Sequence, residues 1–146
     1  MSASTDVFGP RILIVDDQQS NVRLLELALR RGGHVSVAST TDPVEVCALH
    51  RQNRYGLILL DLQMPRMNGF EVLEALANEA AVSVLVLSAD PAQMARAVAA
   101  GAKGFLSKPF VLAEVLSRVH LLLSRDLGEP EPLLTTEAFS LLRAIV

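Results

Sequence analysis

The chain has 146 residues, a length suited to one domain with a short appendage, and its 51% apolar and 20% charged residues supply a sizeable core and exclude disorder over most of the length. A net charge of −3 without a Lys/Arg stripe argues against nucleic-acid contact by this segment, while leaving a DNA-binding partner domain open. No apolar stretch approaches the roughly 18 residues that span a bilayer, the opening MSASTDVFGP lacks the basic and apolar regions of a secretory signal, and a single cysteine, Cys47, excludes an internal disulfide framework.

Those exclusions lead to a cytoplasmic expectation, and residues 1–10 read as a loose leader. Short β-branched runs then alternate with helical patterns. A first strand is expected over Arg11–Val15, followed by a helix in NVRLLELALRR whose Val22, Leu25 and Leu29 share one face. Gly32-Gly33 stops that helix, and HVSVA (34–38) is expected as the second strand. Asp42-Pro43 opens the second helix with a capping acid and a proline in the first turn. Tyr55–Leu60 is the third strand and Phe70–Asn78 the third helix. Val82–Leu87 is the fourth strand, Asp90-Pro91 repeats the cap-plus-proline start, and an alanine-rich fourth helix runs to Gly101. Gly104–Leu106 is a brief fifth strand and Val111–Ser124 the fifth helix.

Alternating strands and helices predict an α/β fold, a doubly wound five-stranded parallel sheet with helices on both faces. The domain is expected to occupy residues 11–124. Residues 125–146 begin with the linker-like DLGEPEP and end in LLTTEAFSLLRAIV, which reads as a helix. That helix either docks on its own domain or begins a truncated output domain or partner-binding segment; both readings stay open.

Ligands of an open parallel sheet bind at the carboxyl ends of its strands. There the chain carries Asp16-Asp17 after the first strand, Asp61 after the third, Ser88 after the fourth and Lys108-Pro109 after the fifth. Three carboxylates brought to one edge repel, and at least one pKa rises unless a cation shares the space. Mg2+ is the natural neutraliser, a hard ion that takes carboxylate and phosphate oxygens. An ionised Asp beside it can attack a phosphoryl group, with Lys108 and the Ser88 hydroxyl holding phosphoryl oxygens. Asp42 and Asp90, each before proline, read instead as helix caps. His34, His50 and His120 read as surface or partly packed residues, and Cys47 as a small buried hydrophobe.

Four motifs in order, DD after the first strand, D-x-x-M-P-x-M-x-G from Asp61, S-A from Ser88 and K-P-F from Lys108, resemble the response-regulator receiver domain of two-component signalling, the CheY-like superfamily, over roughly residues 11–124. The resemblance implies a flavodoxin-like strand order 2-1-3-4-5 and a signalling domain that catalyses only its own phosphorylation and dephosphorylation. It implies that Asp61 is the phospho-acceptor and Asp17 the direct metal ligand. Asp16 would orient metal-bound water, and the Gln63 backbone carbonyl would be a further ligand. Ser88 would be the switch hydroxyl, Lys108 the phosphoryl-pairing lysine, and the bond before Pro109 a candidate cis peptide. Phe105 occupies the switch-aromatic position, where Tyr is common, and is expected to rotate inward. Implied partners are a sensor histidine kinase or histidine phosphotransfer protein, a possible homodimer through the face of the fourth helix, fifth strand and fifth helix, and a possible C-terminal output domain. Two alternatives compete. One is an aspartyl-nucleophile phosphatase, which would place a second acid where Gln63 stands; the other is a receiver-like interaction module that is never phosphorylated.

Overall fold

The apolar runs of the sequence become one sheet in the computed structural model, which describes residues 9–64, 68–79 and 82–126. Its strands are β1 (Ile12–Val15), β2 (Val37–Thr40), β3 (Leu57–Asp61), β4 (Ser83–Ser88) and β5 (Gly104–Ser107). All pair in parallel, in the order β2-β1-β3-β4-β5. Every residue of β1, β3 and β4 is buried, as continuous apolar strands require when helices cover both faces. The helices are α1 (Gln19–Arg31), α2 (Val46–Asn53), α3 (Gly69–Ala77), α4 (Met94–Ala99) and α5 (Leu112–Asp126).

Alternate strand residues feed two separate cores. Ile12, Ile14, Leu57 and Leu59 pack with Val22, Leu25 and Leu29 of α1 and Val115 and Val119 of α5. Leu13, Ile58, Leu60 and Val86 face the other way, toward Val46 of α2, Leu73 and Leu76 of α3 and Ala97 of α4. Among the described residues no helix is long and apolar enough to cross a membrane.

The second strand lies three residues later than HVSVA predicts. The His34 N–H still donates to the Leu29 carbonyl at 3.0 Å, closing the end of α1. Gly33 takes φ +97°, and the Arg30 guanidinium holds the Val35 and Val37 carbonyls. Residues 34–36 are therefore the exit of a helix, and pairing in register begins at Ile12 opposite Val37. Helix capping outweighs the β propensity of His34–Ala38.

Both Asp-Pro starts cap as expected: Asp42 accepts from the Val44 N–H and Asp90 from the Ala92 N–H, each at 3.0 Å. Each first turn is 3-10, at Pro43–Glu45 and Pro91–Gln93. The regular part of α4 ends at Ala99, because Ala100 and Gly101 close it with bonds to carbonyls three residues back. His50 departs from the surface placement expected of it. It is 3% exposed, and its Nδ1 accepts the Tyr55 N–H at 3.1 Å. Arg54 leaves α2 in a left-handed conformation, φ 54°, which turns the Tyr55 N–H inward where it needs that acceptor. Residues 1–8, 65–67, 80–81 and 127–146 lie outside the described residues, and with them most of the expected leader, linker and C-terminal helix.

Candidate functional site

Strand register delivers the polar residues to one edge. Val15 lies opposite Leu60, so Asp16 follows β1 beside Asp61 at the end of β3. Leu87 lies opposite Asp61 and Ser107 opposite Ser88, so Lys108 leaves β5 one step past the Ser88 level. The Lys108 Nζ stands 3.1 Å from Asp61 Oδ1 and 3.9 Å from Asp16 Oδ2. Carboxylate oxygens of Asp16, Asp17 and Asp61 lie within 4.8 Å of one another. Asp16 and Asp61 are buried and Asp17 half-buried. The peptide bond between Lys108 and Pro109 is cis.

The acids are not helix caps. Gln18 sits at the N-cap of α1 with no side-chain cap bond. Asp16 Oδ1 accepts the Gln18 N–H at 2.9 Å, while its Oδ2 is buried and has no hydrogen-bond partner among the described residues. Burial pushes the Asp16 carboxyl above the usual carboxylate range; the Gln18 N–H opposes this, the Asp61 charge adds to it and the Lys108 ammonium counters it. Three acids face one ammonium, and the buried Asp16 Oδ2 makes no hydrogen bond among the described residues, its nearest charge being the Lys108 ammonium at 3.9 Å. This all-oxygen donor set fits a hard divalent ion such as Mg2+.

Asp61 is held from both sides. Its own Oδ1 accepts the Gln63 N–H at 3.2 Å, and the Leu62 N–H donates to the Leu87 carbonyl at 3.2 Å. The reversal behind it depends on a division of labour between Asn68 and Gly69. Asn68 caps α3 by accepting the Phe70 N–H at 2.8 Å. A Cβ on Gly69 would stand 2.5 Å from Leu62 Cα and 3.0 Å from the Asp61 carbonyl. Only glycine lets α3 begin directly against the acid's own backbone.

Ser88 reaches the edge but points elsewhere. Its buried hydroxyl donates to Gln93 Oε1 at 2.5 Å and accepts the Asp90 N–H at 3.1 Å. Sequence reasoning missed Gln93; the available signal was the Asp90-Pro91 turn, which brings the fifth residue after Ser88 back toward it. Phe105 is 8% exposed, packed in the core with Val86 and Ala97. Its register opposite Val86 aims it at that face.

The family model described as the response regulator receiver domain matches residues 12–120. The chain is 39% identical over 124 residues to the transcriptional regulatory protein PrrA of Mycobacterium tuberculosis, covering 83% of this chain and 53% of that protein. It is 33% identical over 132 residues to the DNA-binding response regulator MtrA of the same species, covering 89% and 58%. The chain thus spans about half the length of these relatives. Among solved structures, the receiver domain of the Francisella response regulator 1452 superposes with a TM-score of 0.74 at 26% identity, covering 80% of this chain and 98% of that one. The Vibrio cholerae chemotaxis protein CheY4 gives 0.70 at 28% identity, covering 76% and 96%.

Proposed function

The chain belongs to the response regulator receiver domain family, a family of signalling domains, and from that premise we propose that Asp61 accepts a phosphoryl group from a phosphohistidine on a sensor histidine kinase or histidine phosphotransfer protein. An Asp61 carboxylate oxygen attacks phosphorus. The P–N bond breaks, the imidazole nitrogen leaves with the electron pair and takes up a proton, and an acyl phosphate remains on Asp61. The Lys108 ammonium, already 3.1 Å from the Asp61 carboxylate, pairs with phosphoryl oxygens as they arrive. Asp16, Asp17, Asp61 and the Gln63 backbone carbonyl would hold Mg2+. When bound, that ion offsets the charge shared by phosphoryl and carboxylate oxygens. Water attack on the acyl phosphate returns free Asp61 and inorganic phosphate, so the domain also resets itself.

One observation carries this reading: a lysine ammonium and two further acids are gathered on a single aspartate at the carboxyl edge, with one buried acid oxygen making no hydrogen bond among the described residues. The relatives named for transcriptional regulation and DNA binding extend the proposal. The receiver, residues 11–124, occupies one part of a longer cytoplasmic regulator, and 125–146 lead toward its output domain. Phosphorylation then changes the α4-β5-α5 face, through which two copies pair or the output domain is released, and DNA is contacted outside this segment.

Incubation with acetyl phosphate and Mg2+, read by intact mass, is expected to add one phosphoryl group. Asp61→Asn is expected to abolish the addition. An unmodified wild-type chain, or an equally modified Asp61→Asn variant, overturns the proposal.

A further inference from the structure

Building on the phospho-acceptor reading of Asp61, we propose that Gln93 is a latch on the Ser88 hydroxyl, which must open before that hydroxyl can bond a phosphoryl group on Asp61 and which frees the first turn of α4 when it does. A serine hydroxyl has one proton to donate. Here that proton goes to Gln93 Oε1 at 2.5 Å, and the hydroxyl oxygen is itself pinned by the Asp90 N–H. Ser88 is fully buried, so water does not compete for the proton and the bond keeps its strength. Donation to Gln93 and donation to a phosphoryl oxygen are therefore mutually exclusive. A charged phosphoryl oxygen is the stronger acceptor, so phosphorylation opens the latch while the unmodified chain stays closed.

The position of Gln93 gives the exchange a mechanical consequence. Gln93 ends the turn Pro91–Gln93 and immediately precedes Met94, the first residue of α4. Its side chain makes no cap bond to its own helix, being turned to Ser88 instead. Within α4 only Ala97 is buried, while Met94 and Val98 are 52% and 55% exposed. Little apolar packing ties down this helix, so one buried polar bond has leverage over its start. Gln93 is thus a positioning residue: it acts through Ser88.

The test is calorimetric titration of the full chain with beryllofluoride in the presence of Mg2+. Gln93→Leu removes the acceptor and is expected to tighten binding by about threefold to tenfold, the worth of one neutral hydrogen bond. Gln93→Glu keeps a stronger, charged acceptor and is expected to weaken binding. In a Ser88→Ala background, which has no proton to latch, the Gln93→Leu gain is expected to vanish; any Gln93→Glu effect that persists there is field alone. Amide exchange in the unliganded chain gives a second readout, with Met94–Ala97 exchanging faster in Gln93→Leu and in Ser88→Ala, and no faster in the double variant. A Gln93→Leu chain that binds like wild type, or whose gain survives Ser88→Ala, overturns the latch. If wild type fails to bind beryllofluoride, or binds equally as Asp61→Asn, the phospho-acceptor reading falls first and the latch with it. Binding that depends on Asp61 but not on Gln93 sinks the latch alone.

Discussion

At the ends of β1 and β3, where Lys108 reaches in from beyond β5, the carboxyl edge is built from side chains on strands that the core locks in place; where β4 runs into α4, it is held by a few polar contacts. Asp16 and Asp61 extend strands whose every residue is buried, and Lys108 bridges them across the edge. Ser88 also ends a fully buried strand, but that strand leads into a single 3-10 turn and a six-residue helix with one buried side chain. The first corner suits chemistry, which needs groups held in fixed positions before the reactant arrives. The second suits signalling, which needs an element whose two arrangements differ by little. With both on adjacent strands, the phosphoryl group proposed on Asp61 would reach the second corner through the Ser88 hydroxyl.

Stability measurements break that comparison most directly. Leu59→Ala, in the central strand and fully buried against the α1 and α5 side, is expected to cost about 2–5 kcal/mol in urea unfolding. Val98→Ala on α4 is expected to fall within about 0.5 kcal/mol of wild type. Equal losses at the two positions would show that α4 is as firmly integrated as the sheet centre. On the chemical side, Lys108→Met removes the ammonium that sits among the acids. It is expected to slow acetyl phosphate-dependent modification of Asp61 by about a hundredfold, the usual cost of losing one preorganised charge-stabilising donor. A rate within twofold of wild type would move that role elsewhere.

The smallest effect concerns pH. His34, at the exit of α1, has its pKa lowered from the ordinary 6.5, chiefly by burial and further by the charge of His120. A depressed folded-state pKa means that the unfolded chain binds more protons just below pH 6.5. The contribution is therefore present in full above pH 6.5 and is lost as pH falls from there through the folded-state value. His34→Gln is expected to flatten a small part of the acid-side slope in a urea-midpoint series; an unchanged slope would show that His34 titrates freely.

Legibility tracked the range of the interaction concerned. The runs at 57–61 and 83–88 announce buried strands because continuous apolarity is itself the condition for being covered on both faces. Asp42 and Asp90 were readable as caps because the bond each makes lies two residues away. Residues 34–36 misled because the same His-Val-Ser-Val pattern serves a strand or a helix exit, and Arg30 reaching to Val35 and Val37 decided between them. His50 misled because only the left-handed turn at Arg54 creates the demand its ring nitrogen meets. The closeness of Gly69 to Leu62 Cα could not be read at all, because it depends on how α3 seats against β3.

By itself, then, the sequence determined which strands are buried, where the acids, Ser88 and Lys108 fall along them, and therefore that a charged edge exists. Those are consequences of side-chain pattern and local backbone preference, which act within a few residues. Only the tertiary structure decided that Lys108 lies on Asp61, that one Asp16 oxygen has no hydrogen bond among the described residues, and that the Ser88 proton goes to Gln93. Those depend on strand register and on the path of the turn into α4, because a hydrogen bond is made or lost within a fraction of an ångström.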